Sequence, residues 1–400
     1  MSPATEDETS LTTEATAYPF EFRGNGFEYF KIWIVNILLT ILTLYVYSAW
    51  AKVRTNRYFY GNTYLDNSSF EYHVKPLQIL LSRLIAVVLM GLIVFGQNFS
   101  PIVSLGAWGI IIVLFPWALW RSLKFNSYMS SYRNIRFGFD GKLAELYFIT
   151  IGVPIMSIVV LGIATFCISF VGNKVLTTIA AIASVIGFYA LYPWMKKLIT
   201  TYMLNNYRYG RTSFSATLST GSYFTIYAKA VLLFIASLLV VGVIGAVAYS
   251  ATGNGIADVL RSMKGDASGG NEEAIEALIG KLTFVFIPLT YIWFFLLYAY
   301  ITARVRNYSL SQTTVGADIR LKSDVGARAL TWLTVSNLLL IVFTTGLAFP
   351  WAKVRAARFY ANHTTLISTA SLDQYVASEK QEVGAFGEEL GDAFNLDIGI

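Results

Sequence analysis

Apolar residues in this chain come in runs of about twenty, the length that carries a helix through ~30 Å of hydrocarbon at ~1.5 Å per residue. The runs fall roughly at Ile32–Trp50, Leu77–Phe95, Pro101–Trp120, Leu146–Phe170, Val175–Trp194, Phe224–Tyr249, Leu282–Tyr300 and Ala329–Trp351. The polar stretches between them are of two kinds. Residues 96–100 and 171–174 are short, and 250–281 lean acidic. Residues 51–76, 121–145, 195–223 and 301–328 are rich in Lys and Arg, and the positive-inside rule puts these four in the cytoplasm. Inside the basic linkers the pattern alternates around turn residues, as in NTYLDNSSFEYH (62–73), RNIRFGFDGK (133–142), YGRTSFSATL (209–218) and TTVGADIRLK (313–322). FEFRGNGFEYF (20–30) is a related stretch ahead of the first run. Each predicts a short β-like segment. The expected class is an all-α polytopic membrane protein with six to eight apolar helical segments, internal repeats and short cytoplasmic β-like linkers.

The repeats are visible in the sequence itself. SAWAKVRTNRYFYGNT (48–63) returns as FPWAKVRAARFYANHT (349–364). An aromatic followed eight residues later by another, with bases between, occurs five times: Trp50/Tyr58, Trp120/Tyr128, Trp194/Tyr202, Tyr300/Tyr308 and Trp351/Phe359. Interfacial anchoring accounts for aromatics and bases at helix ends. Duplication of one helix–collar–strand unit accounts for the shared spacing as well.

Repetition creates a parity problem. Eight crossings cannot leave the collars at Trp50 and Trp351 on the same side as the middle three. The favoured resolution is six full spans plus two re-entrant or interfacial segments, with both termini cytoplasmic. Ile32–Trp50 and Ala329–Trp351 are the two that turn back, because each has a breakable middle: LTLYVYS (42–48) and TTGLAF (344–349). Broken backbone at that depth requires protein or water around it.

Composition agrees with a membrane body. The chain is 55% hydrophobic and 14% charged, far below the ~25% of a soluble domain. Net charge is +6, unevenly spread: residues 1–18 hold four acids and no base, and 371–400 hold seven acids against Lys380. Those ends are read as a disordered N-terminal tail (1–18) and a flexible C-terminal tail (371–400) around a membrane-embedded domain (19–370). The basic surplus of that domain suits anionic headgroups, and with no soluble basic domain it does not suit nucleic acid. No signal-peptide pattern opens the chain, so insertion is expected to start from a retained internal segment. Cys167 stands alone in an apolar run, which excludes a disulfide framework.

WIVNILLTILTLYVYSAWAKVRTNRYFYGNTYLD (33–66) and PWAKVRAARFYANHT (350–364) resemble the two signatures of the YjgN-like family of bacterial inner-membrane proteins of unknown function. The resemblance covers roughly residues 20–370. It implies a bacterial cytoplasmic-membrane location and a multi-span helical body, and no reaction. The chain departs from the family pattern at Tyr45, where relatives often have Gly.

Chemistry finds few candidates. The two histidines, His73 and His363, do not correspond in the repeat, and His363 aligns with Asn62. No metal set, cofactor loop or nucleophile–base pair is present, so the reading is not an enzyme and needs no cofactor. Ionisable or amide groups within spans carry more meaning. Asn36, Asn337, Arg83 and Lys229 are candidates for a vestibule that takes an anionic solute or lipid headgroup. Snorkelling of Arg83 and Lys229, and helix-to-helix bonding by the two Asn, are the plainer readings. Trp50, Lys52, Arg54, Arg57 and Tyr58, with Trp351, Lys353, Arg355 and Arg358, form the interfacial collars. The functional expectation is a transporter or channel-like carrier of a small or amphipathic anionic solute; the alternative is a lipid-interacting scaffold or assembly partner. Membrane lipids, anionic ones above all, are the expected partners.

Overall fold

The computed structural model describes residues 15–250 and 293–381. The run Leu282–Tyr300 is described only from residue 293, and the linker 250–281 and Pro288 lie outside the described residues apart from Ser250. The chain divides into two compact units, one of Met1–Ser219, Tyr308–Asp324 and Ala348–Ile400, the other of Thr220–Asn307 and Val325–Leu347.

The first unit is built on strands. β1 (Thr16–Phe22) precedes α1 (Gly26–Leu42) and α2 (Ser48–Gly61). β2 (Thr63–Leu65) and β3 (Ser68–Tyr72) lead into α3 (Pro76–Phe99) and α4 (Pro101–Tyr128). β4 (Ser130–Tyr132) and β5 (Ile135–Phe139) precede α5 (Leu143–Tyr147), a π-helical turn, α6 (Val153–Ser169), α7 (Lys174–Ala190) and α8 (Tyr192–Asn205). β6 (Tyr207–Tyr209) and β7 (Thr212–Ala216) follow. The chain then enters the second unit as α9 (Thr220–Ser250), and returns along the helix α10, described over 293–311, to β8 (Thr313–Val315) and β9 (Ile319–Ser323). α11 (Ala327–Phe343), α12 (Phe349–Asn362), β10 (Thr364–Ser368) and a last helix, α13 (372–381), complete it.

The β-like linkers do not stay separate. Ten strands close into one antiparallel barrel in the order β1-β10-β9-β8-β7-β6-β5-β4-β3-β2. Four neighbouring pairs are hairpins; the fifth is made by the two ends of the chain, with Thr16 opposite Ser368 and Pro19 opposite Thr365. Closure leaves no unpaired strand edge. At Asp66-Asn67 (φ 46° and 55°) and Arg133-Asn134 (φ 49° and 68°) both central residues are left-handed, the geometry that matches strand twist in two-residue hairpins.

The five strand pairs are copies of one unit. Two residues before the end of each pair's second strand stand Phe20, Phe70, Phe137, Phe214 and Leu321, all packed on the barrel core. Phe70 lies 6.1 Å from Phe20 and 6.3 Å from Phe137, ring to ring. Seven residues after that strand end stand Tyr29, Ile79, Leu146, Tyr223 and Leu330, all buried. Two buried phenols of the barrel are satisfied: the Tyr132 hydroxyl donates to Leu65 O at 2.8 Å and the Tyr209 hydroxyl to Tyr132 O at 3.1 Å. Burial pushes the Tyr132 phenol up to about 12, so it stays neutral.

Both proposed tails are partly structured. Thr16–Tyr18 belong to β1, because pairing with β10 gives their backbone groups partners. Residues 372–381 are helical and cover the hairpin-turn end of the barrel. Leu372 and Val376, one turn apart, are buried in its core beside Tyr375. Asp373 meets Arg133 at 2.6 Å, and Arg133 also holds Asp66 at 2.7 Å. Glu379 is buried and accepts from the Arg211 backbone N–H at 3.0 Å and from the Thr212 hydroxyl.

Among the described residues five helices are long and apolar enough to cross a membrane: Pro76–Gly96, Ile102–Tyr128, Leu143–Ser169, Lys174–Asn205 and Thr220–Val240. They bury little against protein, and residues such as Val160, Ile163, Ile179 and Ile186 are more than half exposed. Apolar surface of that extent belongs in lipid.

Candidate functional site

The collars are first of all joints. Counting back from the first strand residue (Thr63, Ser130, Tyr207, Thr313, Thr364), the repeated aromatics are Trp50/Tyr58, Trp117/Phe125, Trp194/Tyr202, Tyr300/Tyr308 and Trp351/Phe359. The second copy is therefore Trp117/Phe125 and not Trp120/Tyr128, which has the same spacing three residues later. Pro116-Trp117 now matches Pro193-Trp194 and Pro350-Trp351, and Ala49, Pro116, Pro193, Ala299 and Pro350 are all buried.

Three of the collar helices make a corresponding bond. Arg57 donates to Val74 O at 3.2 Å, Asn307 to Val325 O at 2.9 Å and Arg358 to Gly24 O at 2.9 Å, all at the residue two beyond a strand end. Where the second aromatic is Tyr, its hydroxyl holds the start of the next helix: Tyr58 bonds both backbone groups of Asn25 (2.7 and 2.8 Å), Tyr202 donates to Lys142 O at 3.0 Å, and the Ser219 N–H donates to Tyr308 at 2.8 Å. Lys353 lies under aromatic rings, 4.7 Å from the centre of Phe59, and burial pulls its pKa down. Lys52, Arg54 and Arg355 stay exposed, while Trp351 packs on Phe30 at 5.1 Å.

The predicted breaks occur where the pattern placed them. α1 ends at a turn in which Leu44 and Tyr45 take φ of 46° and 76°; the corresponding turn after α11 has Thr345 and Gly346 at 49° and 93°. The two turns share their bonds, Tyr45 N–H to Thr40 O (2.7 Å) and Gly346 N–H to Ile341 O (2.8 Å). A side chain in the left-handed region costs ~1–2 kcal/mol, yet the position is Tyr in the first copy. Its ring lies 5.6 Å from the Arg83 guanidinium, whose Nη1 is buried with no hydrogen-bond partner among the described residues. The ring–cation contact offsets part of that strain.

Of the four vestibule residues, Asn36 and Arg83 belong to the first unit and Asn337 and Lys229 to the second. Asn36 is buried within its own hairpin, donating to Ala51 O at 3.4 Å and accepting from Arg54 at 3.5 Å. Asn337 is half-buried on α11 and Lys229 exposed on α9, both in the second unit.

A better-formed site lies in the second unit. A groove of about 790 Å³ runs between α9, α10 and α11, walled by Leu233, Leu296, Trp332 and Val335. At one end are Arg304, Arg328 and the start of α11, where Gly326 provides no side-chain cap for the first N–H groups. Helix N-termini and guanidinium groups both favour anions. Arg304 lies 5.8 Å from the Tyr300 ring centre. From Arg328 to Val335 the groove runs ~10 Å along α11. The sequence had these arginines only as linker charge; the signal was Arg328 one turn before Trp332, a base and an aromatic on one helix face.

The fold and its lipid-exposed helices define a polytopic membrane protein. The chain belongs to the bacterial protein family of unknown function DUF898, whose model matches residues 17–393. It is similar to the inner membrane protein YjgN of Salmonella typhimurium strain LT2, 26% identical over 353 residues, 86% of this chain and 87% of that one. It is also similar to the YjgN proteins of Escherichia coli O157:H7 and K12, each 24% identical over 387 residues, 92% of this chain and 93% of theirs. No solved structure matches. The protein is thus a multi-pass protein of the bacterial inner membrane.

Proposed function

We propose that the protein binds an anionic amphipathic molecule from the inner leaflet and acts as a carrier for that class of solute. The observation that carries this reading is the groove of the second unit, apolar along its length and closed at one end by Arg304, Arg328 and the uncapped α11 N-terminus. An acyl chain fits the wall and a phosphate or carboxylate fits the end. Its volume lies in the usual range for small-molecule sites.

The topology that goes with it has six crossings, two segments that turn back, and both termini in the cytoplasm. Three features support it. The collar helices α2 and α12 run into strands on either side of β1 in the same barrel. α1 and α11, at 17 residues each, fall below the ~20 residues of a usual span and each ends at a break. The tip of the first short pair, Tyr45, meets Arg83, and ~24 Å of α3 lies beyond that point. A periplasm-only reporter enzyme fused after residue 370 is expected to be silent; activity there would sink the topology.

Native mass spectrometry of the full protein tests the groove. Arg304→Ala/Arg328→Ala is expected to lose anionic lipid adducts that the unaltered chain retains, and an unchanged lipid profile would refute the site. Flux of a labelled anionic lipid in proteoliposomes then separates carrier from scaffold. The scaffold reading draws on Asn36, whose amide is used in joining α1 to α2.

A further inference from the structure

The barrel holds an apolar cavity of about 220 Å³. Its wall is the ring of Phe20, Phe70, Phe137, Phe214 and Leu321, its floor is Leu372, Tyr375 and Val376 of α13, and none of its lining residues is charged. A space so lined stays dry and accepts apolar guests. Directly outside is a second hollow of about 430 Å³, bounded by Ser68, Arg133, Asn134, Asp373, Val376 and Lys380 among others. Val376 borders both, so the apolar lumen and the charged hollow outside it adjoin at α13.

The segment that fills this boundary shows what chemistry fits it. α13 presents Leu372, Tyr375 and Val376 on one face, at i, i+3 and i+4. Beside that face it presents a carboxylate, Asp373, to Arg133 at 2.6 Å. Asp373 is itself 80% exposed, so its hold on Arg133 is weak and open to exchange. Arg133 is also held by Asp66 and Ser68, independently of Asp373.

We propose that the barrel is a binding site for an aliphatic carboxylate, a fatty-acid-like anion. Its chain enters the lumen, its carboxylate takes the place of Asp373 on Arg133, and α13 is the built-in competitor that moves aside. The site is independent of the second-unit groove, and each can fail without the other.

The test is photolabelling of the full-length protein in nanodiscs with a diazirine-bearing decanoic acid, adducts being mapped by peptide mass spectrometry. Labels are expected on the β2–β3 and β4–β5 peptides, competed by decanoate and much less by decanol. Asp373→Ala, at an exposed position that leaves the core intact, is expected to raise barrel labelling about two- to fivefold. Leu321→Phe, which completes the aromatic ring and narrows the cavity, lowers it. Arg304→Ala/Arg328→Ala leaves it unchanged. Labels confined to the membrane helices, or a barrel signal that Asp373→Ala does not raise, would overturn the proposal. Equal competition by decanol would overturn the role of Arg133.

Discussion

Between consecutive strand pairs of the barrel the chain makes either a short excursion or a long one. The short ones are matched, α1 and α2 with 17 and 14 residues, α11 and α12 with the same 17 and 14. A long one, α3 and α4, has 24 and 28. The two kinds are held by different forces. α7, in a long excursion, buries no residue against protein, so its apolar surface is stabilised by lipid. α2 and α12 bury Ala49 and Val53, Pro350, Ala352 and Val354, and α1 packs its Phe30 and Trp33 on Trp351 and Phe349. In the proposed topology the short pairs turn back, and a polar tip at that depth needs protein or water around it; in the first pair Tyr45 and Arg83 lie against each other. The barrel supplies five equivalent anchor points; what is hung between them varies.

The sharpest way to test that division is to cut one aliphatic side chain back to Ala in each of the two environments. Leu146→Ala removes a fully buried side chain from the cluster with Phe139, Ile149 and Tyr202. It is expected to cost about 2–5 kcal/mol. Val159→Ala, on the half-exposed face of α6, is expected to stay within ~0.5 kcal/mol. Unfolding of the purified protein in one detergent measures both. Equal losses would mean that the long helices are held by protein after all.

A smaller effect is expected at the joint of the short pair. A Cβ on Gly26 would collide with the Trp351 ring. Gly26→Val should therefore cost about 1–3 kcal/mol by overpacking and release α1 from α12. Increased protease access to α1, with the span α3 still protected, is the readout.

Much of this division could be read in the sequence, and the misses have physical causes. Twenty-residue runs declared the spans, and the copy of WAKVR at 350–354 declared the repeat. LTLYVYS and TTGLAF marked the breaks. Closure of the barrel was hidden because its strands have three to seven residues and its last pair joins Thr16–Pro19 to Thr365–Ser368 across nearly the whole chain. The second collar was misplaced since Trp120/Tyr128 fits the eight-residue spacing as well as Trp117/Phe125 does. The acids of α13 mask its apolar triplet in the sequence, and only the fold shows that Asp373 and Glu379 each have a partner on a hairpin turn. The groove was visible only in fragments, Tyr300 with Arg304 and Arg328 with Trp332, each pair one turn apart on its own helix; that three helices bring these together is not written in the local pattern.

The two tips offer a gentler perturbation. Gly346→Ala puts a Cβ at φ 93° and is expected to cost ~1 kcal/mol. Tyr45→Gly relieves a comparable strain and loses the Arg83 contact, worth ~0.5–1 kcal/mol, so the two nearly cancel. In an Arg83→Gln background nothing is lost with the ring, and Tyr45→Gly should then stabilise. A double-mutant cycle on thermal unfolding measures the coupling; zero coupling would break the link between the strained tip and the buried charge.

The smallest expected effect concerns Lys353, where the α12 collar meets α1. Burial lowers its pKa in the folded state. The unfolded chain therefore binds the proton more tightly than the folded chain. Below the folded pKa the buried charge is a standing penalty. As pH rises from that value toward the ordinary lysine value of 10.5, the folded state loses its proton first and stability increases. The rings of Tyr29 and Phe59 offset part of the penalty, with Nζ 5.5 and 4.7 Å from their centres. Lys353→Met keeps the packing and removes the charge, so it should be slightly more stable than the parent at neutral pH. The gap should close as pH rises. A gap that widens with pH would show that the charge is stabilised at this joint and that the aromatic cage outweighs burial.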